Sequence, residues 1–366
     1  MTDRRALDFV QPHWRDLDPY EAAEPPELLA ERAGMPEDDL VKLNANENPY
    51  GPSPKVIEAL TDIRRIHIYP DPAQVAMRRA LSGYVGVAPE HIVVGNGSDE
   101  IIDLVFRAVL GPGDVVVNSV PTFGMYDVTA RICGASVVEV ERDAAFRLDV
   151  DRVLDAARGA KIIVLASPNN PSGNSTPIAD VERLLASDCV VVVDEAYAEF
   201  SGGSVAGLAA ERPNLVVLRT LSKWAGLAGL RAGYGVMDAE MADVLMRGKP
   251  PYNVSQAAEV ALLASLADRE LLDERARLII RERERMAALL DELPGVSPLP
   301  SEANFILCRM PEGRGKSVYE GLAARGVSVR YYSRGKLADY LRISVGAPEQ
   351  TDRLVEALWA ALQDAG

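Results

Sequence analysis

Three short apolar runs in the middle of the chain, each followed by polar residues, constrain the fold most strongly. Residues 162–166, 190–194 and 215–220 are rich in Val, Ile and Leu and are far too short to cross a membrane. Uninterrupted runs of this kind are typical of parallel strands that helices cover on both faces. Because ligands of such sheets bind beyond the carboxyl ends of the strands, the polar residues there are expected to line one crevice.

Lys223 is the polar residue best suited to covalent chemistry. It follows the third run within the segment 220–234, TLSKWAGLAGLRAGY, and Arg231 comes eight residues later. A buried ammonium group is costly unless it is paired or used covalently, and a lysine amine can form a Schiff base with an aldehyde cofactor, most often pyridoxal phosphate. Taken alone, the segment fits a surface loop or a helix cap equally well. Asn170, just beyond the first run, and Asp194, at the end of the second, favour the crevice.

The order of elements indicates an α/β protein with two domains. Strands alternate with helices over residues 46–246, which predicts a mainly parallel sheet in a large domain. The breaker cluster KPPYNVS at 249–255 is followed by a helical stretch over 257–293, for which we expect a pair of amphipathic surface helices, and then by short alternating elements. We expect residues 1–45 to form an arm and part of the small domain, and residues 247–366 to form a small α+β domain. The length of 366 residues exceeds the roughly 250–300 at which single cores stop growing.

Composition excludes several classes of protein. The formal net charge of −15 argues against a nucleic-acid binder, because phosphate contacts need a basic face. Three scattered cysteines do not make a disulfide framework, and neither a signal-like stretch nor a membrane-length apolar run is present in the sequence. We therefore expect a cytoplasmic enzyme. The spacing of His13, His67 and His91 fits no metal site, so none is expected.

A series of short segments, in a fixed order along nearly the whole chain, carries a family resemblance. They resemble class I/II aminotransferases of the pyridoxal-phosphate fold-type-I superfamily, and most closely the histidinol-phosphate aminotransferase branch. The segments are 43–53, 68–71, 95–100, 121–126, 161–173, 189–197, 220–234, 302–306 and 340–346.

The resemblance implies roles for the residues of the crevice. Lys223 would hold pyridoxal phosphate covalently and later move a proton between the substrate Cα and the C4′ carbon of the cofactor. Asp194 would keep the ring nitrogen protonated, although an aspartate here could instead cap a helix. Tyr197 and Asn170 would bond the phenolic oxygen of the ring, although the Asn-Pro-Ser-Gly sequence is also a good turn. Phe123 would stack on the ring, at a position where family members often carry tyrosine.

The resemblance also implies a phosphate cradle and a shared dimer site. Backbone N–H groups at the start of a helix favour an anion, and charge-assisted bonds would come from an arginine. The implied phosphate contacts are Gly97, Ser98, Asp99, Thr220, Ser222 and Arg231. Tyr69 would reach the phosphate from the neighbouring subunit of a homodimer, although a tyrosine in a Tyr-Pro-Asp turn can also be an ordinary turn residue.

Substrate recognition is implied by a second group of residues. Arg342 matches the arginine that binds the substrate carboxylate, and Arg330 and Tyr20 match groups that bind a substrate phosphate; Asn48, in segment 43–53, is placed with them. The implied reaction interconverts histidinol phosphate and 2-oxoglutarate with imidazole acetol phosphate and glutamate.

Other functions remain open on the sequence. Two tyrosines after Arg330, at 331 and 332, could instead line an aromatic amino-acid pocket. A phosphothreonine decarboxylase shares most of the segments. A cofactor-sensing regulator without turnover is the alternative from another class, but such regulators carry a basic DNA-binding domain.

Overall fold

The larger of two sheets carries the three apolar runs side by side. The computed structural model describes residues 4–18, 20, 22, 24–333 and 335–364. With strands numbered along the chain, the larger sheet contains β2 (Ile92–Asn96), β3 (Val115–Val120), β4 (Ser136–Glu141), β5 (Ile162–Ala166), β6 (Val190–Asp194), β7 (Leu215–Thr220) and β8 (Ala232–Met237). Their order is β2-β8-β7-β6-β5-β3-β4, and β8 alone runs antiparallel to its neighbours. The mainly parallel α/β sheet is confirmed.

Helices cover both faces of this sheet because its central strands are apolar on both sides. Strands β5 and β7 are buried along their whole length, so neither face meets water. The helices of this region are α3 (Pro54–Thr61), α4 (Val75–Val85), α5 (Ser98–Val109), α6 (Met125–Ile132), α7 (Val150–Ala156), α8 (Ile178–Leu185) and α9 (Ala239–Gly248).

The smaller sheet combines strands from the two ends of the chain. It contains β1 (Val41–Leu43), β9 (Ser297–Pro298), β10 (Phe305–Arg309), β11 (Val327–Tyr331) and β12 (Tyr340–Ser344), in the order β1-β11-β12-β10-β9. Because β1 pairs in parallel with β11, the segment before residue 45 contributes to this sheet.

The remaining helices belong to the N-terminal segment and to the second half of the chain. They are α1 (Pro12–Arg15), α2 (Pro26–Ala33), α10 (Gln256–Ala267), α11 (Arg269–Asp291), α12 (Gly315–Ala324) and α13 (Pro348–Asp364). The expected pair over 257–293 is present as α10 and α11, but α10 packs on α3 and α4 of the large-sheet region through a buried face of small residues. Within the described ranges, no helix combines the length and the apolar character needed to cross a bilayer.

A buried ion-pair cluster lies beneath the carboxyl ends of β6 and β7. The guanidinium group of Arg219, 8% exposed, lies 2.9 Å from Glu195 and 3.2 Å from Glu199. Tyr84 donates a hydrogen bond to Glu199 and stacks on Trp224, the neighbour of Lys223. The cluster therefore joins the segment after β6 to the segment after β7.

Removing Arg219 is expected to destabilise the protein by about 3–5 kcal/mol, because two buried carboxylates would lose their counter-charge. The free energy of unfolding of Arg219→Ala in urea, at fixed protein concentration, measures this cost. Arg158→Ala is the matched control, since the Arg158–Asp155 pair is exposed and its loss should change stability little. Equal effects of the two substitutions would contradict the assignment.

Candidate active site

Asp194, the last residue of β6, is held by one hydrogen bond on each carboxylate oxygen. Tyr126 donates its hydroxyl to Oδ2 at 2.7 Å, and the backbone N–H of Ala196 donates to Oδ1 at 3.0 Å. Burial raises the pKa of Asp194 to about 6, while these two hydrogen bonds oppose the shift. The carboxylate is thus fixed in position and ionised at neutral pH, where it can hold a proton on a basic ring nitrogen.

Lys223 follows β7, and its side chain lies between two cavities. Its Nζ donates to the carbonyl oxygen of Ala45 at 3.2 Å. Burial, helped by the positive charge of Arg342, lowers the pKa of the Lys223 amine to about 8. A sizeable neutral fraction near pH 7–8 makes this amine a usable nucleophile and base.

Arg342 fixes the orientation of Asn170. Its Nη1 donates to Asn170 Oδ1 at 2.7 Å, and its Nη2 donates to the carbonyl oxygen of Asn44 at 2.6 Å. Because a guanidinium group has no acceptor, the oxygen of the Asn170 amide must face it, which leaves the amide nitrogen as a donor on the other side.

Tyr197 is buried and keeps its proton. Asn46 donates its amide N–H to the Tyr197 hydroxyl oxygen at 3.0 Å. Burial raises the pKa of Tyr197 to about 12, although the charge of Arg342 and the Asn46 hydrogen bond oppose the shift. The hydroxyl is therefore a hydrogen-bond donor at neutral pH.

The start of α5 and the segment around Arg231 form a small polar cradle. Gly97 adopts a φ of 81°, and a Cβ there would collide with the guanidinium group of Arg231. Arg231 itself has a φ of 57° and pairs with Asp99 at 2.8 Å. Glycine is thus required both for the backbone angle and for the close approach of the arginine.

Two hydroxyl groups complete the cradle. Thr220 Oγ1 donates to Ser222 Oγ at 2.9 Å and accepts from the Ser222 N–H at 3.1 Å. Both side chains are buried, and they face the start of α5 across the same cavity.

The site consists of a small inner cavity that adjoins a larger outer one. The inner cavity, of about 140 Å³, is lined by ten of the twelve residues predicted to bind the cofactor: Ser98, Asp99, Phe123, Asn170, Asp194, Tyr197, Thr220, Ser222, Lys223 and Arg231. The outer cavity, of about 620 Å³, shares Phe123, Asn170, Tyr197 and Lys223 with it. A group in the inner cavity would thus meet a substrate from the outer cavity at Lys223.

Known proteins match this arrangement over nearly the whole chain. The family model for aminotransferase class I and II matches residues 38–358. The chain belongs to this family. Histidinol-phosphate aminotransferase of Roseiflexus castenholzii is 51% identical, over 96% of this chain and 97% of that protein. The chloroplastic histidinol-phosphate aminotransferase 1 of Arabidopsis thaliana is 46% identical, over 96% of this chain and 85% of that protein. The solved histidinol-phosphate aminotransferase of Sinorhizobium meliloti, in complex with pyridoxal-5'-phosphate, superposes with a TM-score of 0.90 at 27% identity and covers 98% of both chains. The family and fold class expected from the sequence are confirmed.

The outer cavity of this aminotransferase holds three of the four residues predicted to bind substrate. Tyr20, Arg330 and Arg342 line it together with Tyr332. The Tyr20 ring packs edge-on against Phe123, with 5.7 Å between centroids, and the guanidinium group of Arg330 lies over the Tyr332 ring at 5.6 Å. The N-terminal segment thus forms one wall of the cavity.

Asn48, the fourth residue predicted to bind substrate, is not among the residues that line either cavity. Its amide N–H donates to the Trp224 carbonyl oxygen at 2.8 Å, and its Oδ1 accepts from the Tyr50 N–H at 2.9 Å. Both ends of the side chain are therefore used inside the fold. Asn44 and Asn46, in the same segment, line the cavity instead.

Tyr69 lies away from both cavities of its own chain. Its side chain is 76% exposed and stacks on Tyr252, with 4.3 Å between ring centroids. Neither described cavity includes Tyr69 among its lining residues. Any contact of Tyr69 with a cofactor would therefore have to be made in another subunit.

The sequence reasoning missed Tyr126 and Asn46. Tyr126 lies in the segment 121–126, but its partner Asp194 is 68 residues away, so only the folded sheet joins them. Asn46 lies two residues from the predicted Asn48 and has a φ of 54°. The three asparagines at alternate positions 44, 46 and 48 were the signal that could have drawn attention to it.

Proposed function

We propose that this chain is a histidinol-phosphate aminotransferase of histidine synthesis, which uses pyridoxal phosphate to interconvert histidinol phosphate and 2-oxoglutarate with imidazole acetol phosphate and glutamate. The observation that carries the proposal is the near full-length identity of 51% to a protein of that name. The two adjoining cavities, with Lys223 between them, support it.

The inner cavity fits pyridoxal phosphate by the chemistry of its donors. When bound, this cofactor supplies an aldehyde that links to amines and a ring that accepts the electron pair of a broken Cα–H bond. Arg231, Thr220, Ser222 and the first N–H groups of α5 suit its phosphate, because all are hydrogen-bond donors and one carries a positive charge. Phe123 supplies an apolar face for the ring.

Asp194, Tyr197 and Asn170 hold the polar atoms of the ring. Asp194 would hold a proton on the ring nitrogen, and Tyr126 fixes the position of its carboxylate. Tyr197 and the amide nitrogen of Asn170 would donate hydrogen bonds to the phenolic oxygen. Arg342 maintains the donor orientation of Asn170 through its bond to Oδ1.

With the cofactor bound, Lys223 would be the residue that holds its aldehyde, and its amine would be the base for the substrate Cα proton. The free amine would take the proton from the substrate Cα and return it to the C4′ carbon. Its lowered pKa, about 8, suits both directions of proton transfer near neutral pH.

Arg342 and Arg330 provide the positive charge for the anionic groups of both substrates. Arg342 lines the outer cavity and would bind a carboxylate through its Nη groups, which in this structure donate to Asn170 and to the Asn44 carbonyl oxygen. Arg330 and Tyr20 lie on the same cavity and suit the phosphate of the amine donor or the distal carboxylate of 2-oxoglutarate. One pocket would thus serve two anionic substrates.

The proposal includes a cytoplasmic homodimer in which Tyr69 completes the partner subunit's site. The exposure of Tyr69 outside its own cavities supports the shared site, and the exposed apolar side chains of Ile66, Ile68 and Tyr252 accompany it. Three free thiols, Cys133, Cys189 and Cys308, suit a reducing compartment.

A single-turnover assay of the cofactor-loaded protein tests the substrate. Histidinol phosphate, phenylalanine, tyrosine and phosphothreonine are offered separately, and the change in cofactor absorbance is recorded. A fast response selective for histidinol phosphate is expected. An equal or faster response to phenylalanine or tyrosine would favour an aromatic aminotransferase, whose ring could pack on Tyr332, and release of carbon dioxide from phosphothreonine would favour a decarboxylase.

Arg330→Gln is expected to raise the KM for histidinol phosphate by about 10–100-fold, because a hydrogen bond between charged groups contributes roughly 1.5–3 kcal/mol. The KM for an amine donor without a phosphate, such as phenylalanine, should change much less. Arg325→Gln is the control, since Arg325 pairs with Asp364 at the surface. A uniform rise of KM for both donors would contradict the phosphate role.

A further inference from the structure

Two neighbouring loops present Tyr69 at the surface. We call residues 66–74 the Tyr69 loop and residues 249–253 the Tyr252 loop. Their two tyrosine rings stack nearly in parallel, at an interplanar angle of 13°. Holding an exposed aromatic ring in one geometry costs conformational entropy. The two loops that carry the tyrosines must therefore be fixed if Tyr69 is to keep the position from which it contacts the neighbouring subunit.

Gln74 fixes the end of the Tyr69 loop to the large sheet. Its amide donates to the Val94 carbonyl oxygen at 2.7 Å and accepts from the Val94 N–H at 3.0 Å. Val94 lies on β2, an edge strand of the larger sheet, so the Gln74 side chain pairs with the strand as a further strand would.

The backbone at Gln74 is strained in order to make this contact. Gln74 has a φ of 56° and is 1% exposed. A residue other than glycine costs of order 1–3 kcal/mol in a sparsely populated region and stays there only when its surroundings require it. The two hydrogen bonds to Val94 hold Gln74 in this conformation.

Lys249 joins the Tyr69 loop to the Tyr252 loop. Its buried ammonium group donates to three backbone carbonyl oxygens, those of Pro72 at 3.0 Å, Pro250 at 3.3 Å and Pro251 at 3.2 Å. All three protons of the ammonium group are thus used. The lysine therefore clamps the base of the stacked tyrosine pair.

We propose that Gln74 and Lys249 are positioning residues for Tyr69, and that they act on the partner subunit's active site rather than on their own. This inference rests on the proposed dimer with shared sites. Tyr69 lies outside the cavities of its own chain, so the residues that orient Tyr69 are expected to change cofactor binding in the neighbouring subunit's site.

Glu100 provides a contrast within the same region. Its Oε2 accepts from the Asn96 N–H at 2.6 Å and from the Asn253 amide at 2.7 Å. The first bond holds the turn that leads into Gly97 and the cradle of the same chain, and the second holds Asn253 of the Tyr252 loop. Glu100→Gln is therefore expected to weaken cofactor binding in both subunits, unlike a substitution that acts on the Tyr69 loop alone.

Hybrid dimers separate the two directions of action. Two differently tagged chains are combined, and only one of them carries Lys223→Ala, so each hybrid dimer keeps a single covalent site. The cofactor dissociation constant of that site is measured by absorbance titration. Gln74→Ala in the Lys223→Ala chain should weaken binding about tenfold, the loss expected for one hydrogen bond to a charged phosphate. Gln74→Ala in the chain that keeps Lys223 should leave binding unchanged.

Lys249→Met in the same two arrangements is expected to give the same pattern. Gln74→Gly relieves the backbone strain but lacks the amide, so it should reproduce the effect of Gln74→Ala even if that variant folds poorly. The inference would be overturned if cofactor binding weakened when the substitution stood in the chain that keeps Lys223, if both hybrids were affected equally, or if neither were affected.

Tyr69→Phe in the same format keeps the two proposals distinguishable. If Tyr69→Phe weakens only the partner's site while Gln74→Ala and Lys249→Met act on their own, this inference fails and the shared site stands. If Tyr69→Phe affects no site or only its own, the shared site fails and the inference falls with it.

Discussion

Lys223→Ala is expected to lower turnover by at least about 10⁴-fold and to remove the covalent attachment of the cofactor. The substitution deletes both the amine that links to the aldehyde and the base that moves the Cα proton, and positioned general acid–base catalysis alone contributes about 10²–10⁴-fold. The phosphate and ring contacts of Asp194, Arg231 and Phe123 remain, so the cofactor should still bind reversibly.

Turnover and dialysis of the cofactor measure the two losses separately. Lys316→Ala is a suitable control, because Lys316 is exposed and pairs only loosely with Glu320, at 3.7 Å. Lys223→Arg keeps a positive charge without a usable amine, and it should fail in the same way as alanine. Normal activity in either Lys223 variant would refute the central assignment.

The pH dependence of covalent attachment follows from the lowered pKa of Lys223. Only the neutral amine attacks the aldehyde, so the attachment rate in cofactor-free protein should rise with pH and level off above about 8. An unperturbed lysine would still be gaining rate at pH 10. Stopped-flow absorbance at constant ionic strength distinguishes the two profiles.

The centre of the fold and most of the inner cavity could be predicted because they depend on local patterns. Strands β5, β6 and β7 have the bounds that their apolar runs predict, since polar residues interrupt the apolar pattern at the end of each run. The carboxyl ends of adjacent parallel strands necessarily meet at one edge. Asn170, Asp194 and Lys223 were therefore brought together by topology alone.

Features that depend on the three-dimensional fold were out of reach of the sequence. The contact of Tyr126 with Asp194 joins α6 to β6 and leaves no periodic pattern. Asn46 and Asn48 lie two residues apart in an irregular segment, yet the amide of Asn46 bonds to Tyr197 and that of Asn48 bonds to the Trp224 carbonyl oxygen. The role proposed for Tyr69 would depend on a second chain, which a single sequence does not describe.

Asp194→Asn is expected to reduce turnover by roughly 10²–10³-fold while the covalent attachment at Lys223 survives. An amide cannot hold a proton on the ring nitrogen by charge, and the loss of one preorganised electrostatic partner has about this effect in other enzymes. Turnover and cofactor retention are measured on the same sample. Wild-type turnover in this variant would mean that another group serves the ring nitrogen.

Tyr126→Phe tests the same pair through the pH profile. The Tyr126 hydroxyl stabilises the ionised carboxylate, so its loss should raise the pKa of Asp194 above its already raised value of about 6. Because the ionised form supports turnover, the decline of activity on the acid side should move to higher pH, by about one to two units for a bond of roughly 1.5–3 kcal/mol. A bound cofactor with a protonated ring nitrogen would lower the pKa of Asp194 in the variant and in the wild type alike. The quantity to compare is therefore the difference between their acid-side pKa values. Tyr234→Phe removes a buried hydroxyl from β8 that does not contact Asp194, and it should leave the acid side in place; identical shifts in both variants would indicate a general loss of packing instead.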